Sequence, residues 1–401
     1  MKKYVIILFL ITTSCSSKEG FLPGFIPDFI TNYFEEEVLP YAELPSINSN
    51  VNIQLLWETE FPSEIEETYS FLNLYKFQDE ILIPTNDKKV HILSSADSKI
   101  KNSIDIELDI FSGIIADSSL IYFGTKQDTV TAVDRESNSV LWQRVMSSEV
   151  MALSDVLNDM IFVKTNDSKV TAIDIKTGKF MWVKSQIPSD LSVRGSSAPV
   201  IHDEMVIVGF EDGKIISYNY LNGDINWQIQ IPSTKMETII DRLNDIDGNM
   251  IVDNDVLYAI SYQGSIIAID TFSGQVLWSR EASSLFGLDA DSTNVFFNDD
   301  GGVLWAIDKF SGRPSWKQDK LFKRLVGSPI YFNDLVVIGD IENYIHILDS
   351  QNGSIIGRLK MKYPIQSYYA DYDALYLLDK DFSLKKYCLL YTSPSPRDSI
   401  A

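Results

Sequence analysis

Lys169-Val-Thr-Ala-Ile-Asp-Ile-Lys-Thr-Gly-Lys-Phe-Met-Trp182 is a hairpin spelled out in sequence. Val170, Ala172 and Ile173 make a short apolar strand that ends at Asp174, and Thr177-Gly178 turns the chain. Gly178 suits that turn because a tight hairpin needs a residue that accepts positive φ without a steric penalty. On the return strand Phe180 and Trp182 alternate with Lys179 and Met181, as aromatic residues do on a half-buried pleated surface. One hairpin of this size cannot bury its own apolar face in water. The unit makes sense only if it is copied.

Copies stand on both sides. Thr129–Asp134 leads to Leu141-Trp142, with Ser137-Asn138 in place of Thr-Gly; Gly213–Asn219 leads to Asn222-Gly223 and Trp227. Gly264–Asp270 leads to Ser273-Gly274 and Trp278, and Gly302–Asp308 to Ser311-Gly312 and Trp316. The tryptophans at 142, 182, 227, 278 and 316 are separated by 40, 45, 51 and 38 residues. A period near forty with four strand-sized segments per copy is the signature of a β-propeller.

Marking strands along the chain gives seven blades: Ser70–Ile106, Ile110–Val145, Val150–Ile187, Leu191–Ile231, Met236–Glu281, Phe286–Leu321 and Leu325–Met361. The first has no tryptophan, and Gly357 replaces it in the seventh. An eighth offers only three strands, at Gln366–Tyr369, Ala374–Leu378 and Phe382–Tyr387, while Leu55–Phe61 around Trp57 is a strand with no hairpin before it. Joining them closes the ring and removes two open sheet edges. The expected fold is all-β, an eight-bladed β-propeller of four-stranded antiparallel blades, the last closed by the N-terminal strand. Each recurrent tryptophan is expected to pack between neighbouring blades, and the recurrent Asp (134, 174, 270, 308, 349) to cap its turn.

The ends are read separately from the propeller at 51–387. Met1-Lys-Lys followed by the apolar run Tyr4–Ile11 and Thr12-Thr-Ser-Cys15 is a secretory signal, so residues 1–15 form a signal peptide and the tether spans 16–50. That tether carries four prolines between 23 and 45 and the acidic run Glu35–Glu37; extended, its roughly 35 residues reach on the order of 100 Å. Cys15 resembles the acylation site of bacterial lipoproteins, and Ser16 after it resembles their outer-membrane sorting signal. Residues 388–401 are set aside, because Cys388–Asp398 resembles an in-frame translation of a transposase adapter used in sequencing.

A net charge of −22, from 34 basic and 56 acidic residues, excludes nucleic acid as a partner, since no surplus of cations exists to displace phosphate counterions. The three histidines, 91, 202 and 346, have no metal-ligand spacing. His91 and His346 occupy equivalent places in Val90-His-Ile-Leu and Ile345-His-Ile-Leu, which points to packing. Tyr368-Tyr369 and Phe296-Phe297 are the candidates for an aromatic glycan- or peptide-binding surface, with alternation burying one of each pair. Neither a nucleophile elbow nor a phosphate loop occurs, and Asp299-Asp-Gly-Gly302 is hairpin chemistry.

The repeat resembles the quinoprotein-type propeller motif, which by itself is a weak guide to function. Quinone-dependent alcohol dehydrogenases share it, with Ca²⁺ and a quinone at the axis and often a disulfide between adjacent cysteines. This chain has no Cys-Cys pair, so no enzyme, cofactor or metal is expected. Two departures from the period are more telling: Asp190-Leu-Ser-Val-Arg-Gly-Ser-Ser-Ala-Pro199 and Glu237-Thr-Ile-Ile-Asp-Arg-Leu-Asn-Asp-Ile-Asp247. With Leu321–Pro329 they resemble the BamB family, the lipoprotein subunit of the outer-membrane β-barrel assembly machinery of Gram-negative bacteria. That resemblance implies docking on periplasmic POTRA domains of BamA through Leu191, Val193 and Arg194 from the first segment and Asp245 and Asp247 from the second. Val193 stands where the family commonly has Leu, a small change at an apolar contact. It further implies a lipid anchor at Cys15, the periplasmic face of the outer membrane, and unfolded outer-membrane proteins as clients. Arg with apolar neighbours on irregular loops is a typical hot-spot composition; an Arg194–Asp245/Asp247 bridge that merely holds the longer loop is the competing reading.

Overall fold

The hairpin at Lys169–Trp182 is the outer half of a four-stranded sheet in the computed structural model. Val150–Leu153, Met160–Thr165, Lys169–Asp174 and Phe180–Ser185 pair antiparallel in chain order. The structure describes residues 41–47, 51–62, 72–188, 197–232, 244–371 and 374–391, the last two by backbone alone. Within them eight such sheets form a ring of eight blades, and no helix occurs. First strands lie side by side where blade one meets two, two meets three, four meets five, six meets seven and seven meets eight.

Seven blades are contiguous in sequence and span 75–105, 110–145, 150–185, 200–230, 251–282, 289–318 and 330–360. The eighth joins Ile365–Ala370, Leu375–Asp379 and Ser383–Tyr391 to Val51–Glu60. Val51 faces Tyr391 and Trp57 faces Lys386, with a bulge between Leu55 and Trp57. Lys385 ties the closure from the side, holding Glu58 at 3.0 Å and Asp379 at 3.0 Å.

Four boundaries differ from the sequence reading. Blades four and five are expected from sequence to begin at Leu191 and, with an extended entry, at Met236; their innermost strands are Val200–His202 and Ile251–Asp253. Those triplets take the pairing positions on the second strands, Val200 opposite Ile207 and Ile251 opposite Tyr258. The last strand passes Tyr387 and runs to Tyr391, because the N-terminal strand begins early enough to pair with it and bury Leu389. At the other end Tyr41–Ile47, assigned to the tether, already lies on the ring: Ala42 N–H donates to Phe322 O at 3.1 Å.

One contact recurs between blades. Five outer-strand tryptophans cross to the next blade, where the indole N–H donates to the carbonyl just after the turn's Asp or Asn: Trp142 to Ile175 (2.7 Å), Trp182 to Tyr220 (2.8 Å), Trp227 to Thr271 (2.6 Å), Trp278 to Lys309 (2.7 Å) and Trp316 to Ser350 (2.8 Å). The turn glycine lies flat against the ring. On Gly274, at φ +71°, a Cβ would stand 2.6 Å from Trp227. The turn is itself braced by its Asp, whose Oδ1 accepts the amide and hydroxyl three residues on, at 2.8 and 2.6 Å for Asp174 and Thr177. Asn102 of blade one occupies the tryptophan's register, opposite Ile92, and its amide donates to Arg135 O at 3.3 Å. Trp57 has the register without the bond: the equivalent carbonyl, Ser95, takes Lys386 Nζ at 3.0 Å.

Two substitutions separate the parts of this latch. Trp227→Phe keeps the ring and loses the donor, leaving the Thr271 carbonyl unpaired at a cost of about 1 kcal/mol. Gly274→Ala, forced into the left-handed region against the indole, costs about 1–2 kcal/mol from the backbone alone and more from the clash. Denaturant unfolding of both variants checks the order, with Gly274→Ala the less stable.

Candidate functional site

Antiparallel order sends the two families of turns to opposite faces of the ring. One face carries the turns between third and outermost strands, where the indole latches sit. The other carries the turns between second and third strands and the connections from blade to blade. Asn244–Asp247, the described end of the second off-period segment, belongs to this second face, since it leads into the innermost strand of blade five. Leu191, Val193 and Arg194 lie outside the described residues, as does Cys15.

Asn244–Asp247 is described, and it is wedged between blades four and five. Asn244 is almost wholly buried and its amide donates to Ile231 O at 2.6 Å. It fits because the neighbouring turns lack side chains: a Cβ on Gly213 would come within 2.3 Å of its Nδ2, and one on Gly264 within 2.3 Å of its Oδ1. Ile246, 1% exposed, is packed over Gly209 in the same way. Tyr262 N–H donates to Asp245 O at 2.9 Å, tying the segment to blade five. The Asp245 side chain is fully buried, whereas Asp247 is partly exposed. The structure therefore places the two predicted carboxylates close in sequence but at different depths. Asn244 and Ile246, the actual wedges, went unselected; the glycines opening the third strands at 213 and 264 were the available signal.

Buried cations stiffen the same face. Lys164 of blade three, 1% exposed, reaches across to blade four, donating to Gly209 O at 2.9 Å and pairing with Glu211 at 3.0 Å. Around blade seven Arg324 does more. Its Nε donates to Asp340 at 2.7 Å, its other nitrogens to Ala42 O at 2.9 Å and to Glu342, and the Tyr41 ring lies 5.2 Å from its guanidinium carbon. Arg358 holds Pro45 O at 3.2 Å. The pre-propeller segment is thus strapped to this face through two arginines about 280 residues or more away in sequence.

No three His, Cys, Asp or Glu among the described residues converge in a way that would hold a metal ion. Each histidine is engaged locally: His91 Nδ1 with Ser103 Oγ at 2.8 Å, His202 with Asp255 at 2.9 Å, His346 Nε2 with Asp340 at 2.8 Å. His91 and His346 share a register position, as their sequence context indicated. The aromatic candidates fare differently. Phe296 and Phe297 are both buried, because one packs toward blade seven and the other toward blade five, so only Tyr369 of the four is exposed.

Taken together, an eight-bladed ring latched by indole on glycine is a propeller of the quinoprotein repeat type. A quinohemoprotein alcohol dehydrogenase from Pseudomonas putida shares the architecture, with a TM-score of 0.62 at 12% identity, over 87% of this chain and 78% of that one. BamB from Moraxella catarrhalis is nearer in shape, with a TM-score of 0.76 at 23% identity, over 84% of this chain and 100% of that one. A family model described as outer membrane protein assembly factor BamB matches residues 93–318, and the chain belongs to that family. The relative of that description in Yersinia pestis is 27% identical over 344 residues, 81% of this chain and 85% of its own length.

The strap makes stability depend on pH. Arg358 Nε donates to His346 Nδ1 at 3.3 Å, so the imidazole proton sits on Nε2 and is given to Asp340. Burial pushes the imidazole below its ordinary value, against the pull of the Asp340 carboxylate, with Arg358 and Arg324 adding to the depression. Burial would raise Asp340, but hydrogen bonds from His346, the Tyr344 amide and Arg324 outweigh it and hold the carboxyl low. A depressed imidazole binds fewer protons folded than unfolded, so stability falls as pH drops below about 6.5; the Asp340 contribution is lost only in stronger acid, below about pH 4. Thermal melts at pH 7 and pH 5 should show a larger loss in the wild type than in His346→Gln, which keeps a donor toward Asp340.

Proposed function

We propose that this chain is a non-enzymatic, lipid-anchored scaffold of the outer-membrane β-barrel assembly complex, held at the periplasmic face by acylated Cys15. It docks on POTRA domains of BamA with the face that carries both off-period segments, and it assists delivery of unfolded outer-membrane proteins. The observation that carries this reading is the wedge of Asn244 and Ile246. It fixes an irregular segment between two blades on the face of the inter-blade connections, in a chain whose family is named for outer-membrane protein assembly.

Leu191, Val193 and Arg194 supply the contacts in this reading, apolar side chains around one guanidinium. Asp247 meets the partner at the rim. Asp245, fully buried, acts from behind as a positioning residue. The non-enzymatic assignment is supported by the names of the relatives and by the local engagement of every histidine.

Affinity for a purified BamA periplasmic region tests the reading. Arg194→Ala and Asp247→Ala should each weaken binding by about 2 kcal/mol, roughly thirtyfold, with unchanged melting temperatures. Wild-type affinity in both variants would remove the docking face.

A further inference from the structure

Between blades five and six lies a cavity of about 690 Å³, within the range of roughly 300–1,000 Å³ usual for small-ligand sites. Its inner wall is apolar: Ile266, Phe297 and Ile307, all buried, with the half-buried Trp305 across from them. Gln263, Ser283, Asp299 and Asp300 form a polar margin where it opens toward the turns.

Two features set this gap apart. The Trp305 ring is fixed: its indole N–H donates to Asp299 Oδ2 at 2.9 Å, and the other oxygen of that carboxylate accepts the amides of Gly301 (3.0 Å) and Val303 (2.9 Å). Asp299 is thereby committed to holding the ring. The second feature is Arg280, two residues past the latch Trp278 and on the same side of its strand. In blade two the equivalent Arg144 gives its nitrogens to Gly178 O at 2.7 Å and Thr177 O at 2.6 Å, and in blade six Gln318 donates to Gly353 O at 2.7 Å. Arg280 lines the cavity instead, and no hydrogen bond or ion pair to it occurs among the described residues. Glu281, next along the strand and exposed, also borders the cavity.

We infer that this cavity is a binding site for an apolar monocarboxylate, its body against Trp305 and Phe297 and its carboxylate on the Arg280 guanidinium. A planar fork lining the same cavity as a fixed aromatic ring is suited to one carboxylate. A polyanion is disfavoured, because Asp299 and Asp300 border the same space and the chain carries a net charge of −22. The carboxylate is either that of a free small acid or one borne by a polypeptide. This site goes beyond the docking reading and stands independently of it.

The test uses the full chain with ¹⁵N-labelled indoles, Trp305→Phe serving only to assign the Trp305 signal. Phenylacetate should shift that signal saturably and leave the five latch indoles in place, while the neutral isostere phenylacetamide binds roughly tenfold more weakly or worse. Arg280→Gln should abolish this preference, and Arg280→Lys should retain part of it. Competition by a pentapeptide blocked at both ends, with a single Glu between leucines, would identify a polypeptide carboxylate as the source; its failure beside phenylacetate binding would identify a free acid. No saturable shift of Trp305 with either probe, equal binding of acid and amide, or an unchanged preference in a folded Arg280→Gln protein would overturn the assignment.

Discussion

An indole resting on a glycine is the contact on which the rest of the ring depends. A blade alone has two apolar faces, and the taper of a closed ring leaves a gap at its outer radius that only a large flat side chain fills. Tryptophan fills it and offers one donor, and the next blade answers with a bare turn and a free carbonyl. Five of the eight junctions use this pairing, and Asn102 reproduces its hydrogen bond at a sixth. Because turn and indole belong to different blades, neither can move without its neighbour, which makes the array cooperative around the circle.

Confining the latches to one face frees the other. There the connections vary in length, and separate devices keep them in place: Asn244 between two glycine turns, Lys164 across to Glu211, and Arg324 gathering Asp340, Glu342 and the Tyr41–Ile47 strap. Buried ion pairs of this kind are costly to break even where their net contribution is small. They serve here to hold irregular backbone in one arrangement, the condition for a loop surface to bind with little entropic loss. The Tyr41–Ile47 strap lies on the same face as Asn244–Asp247.

The blade count and the packing of the tryptophans were legible in the sequence because each depends on residues a few positions apart, repeated until chance is excluded; the closure by Trp57 was legible because a lone strand and a three-stranded remainder complete one blade. What was less legible lies between distant positions. Asn102 could not be recognised as a latch, since an amide replaces an indole only when the carbonyl of Arg135 is seen beside it. The role of Arg324 spans about 280 residues to Ala42. The innermost strands Val200–His202 and Ile251–Asp253 were hard to place, since three-residue strands carry little pattern of their own. Asp245 and Asp247 stand two apart in sequence and differ in burial from 0% to partly exposed, a distinction alternation cannot make outside a strand. Trp305 and Arg280 read as ordinary strand residues until the space between them appears.

In the proposed docking a rigid ring presents one face, that of the inter-blade connections, to its partner. Hydrogen exchange of the full chain with and without the BamA periplasmic region measures this directly. Protection gained at residues 189–199 and 233–247, with the indole-bearing turns at 174–178, 270–274 and 308–312 unchanged, is the expected result. Protection appearing at those turns while the two connections exchange as before would contradict it.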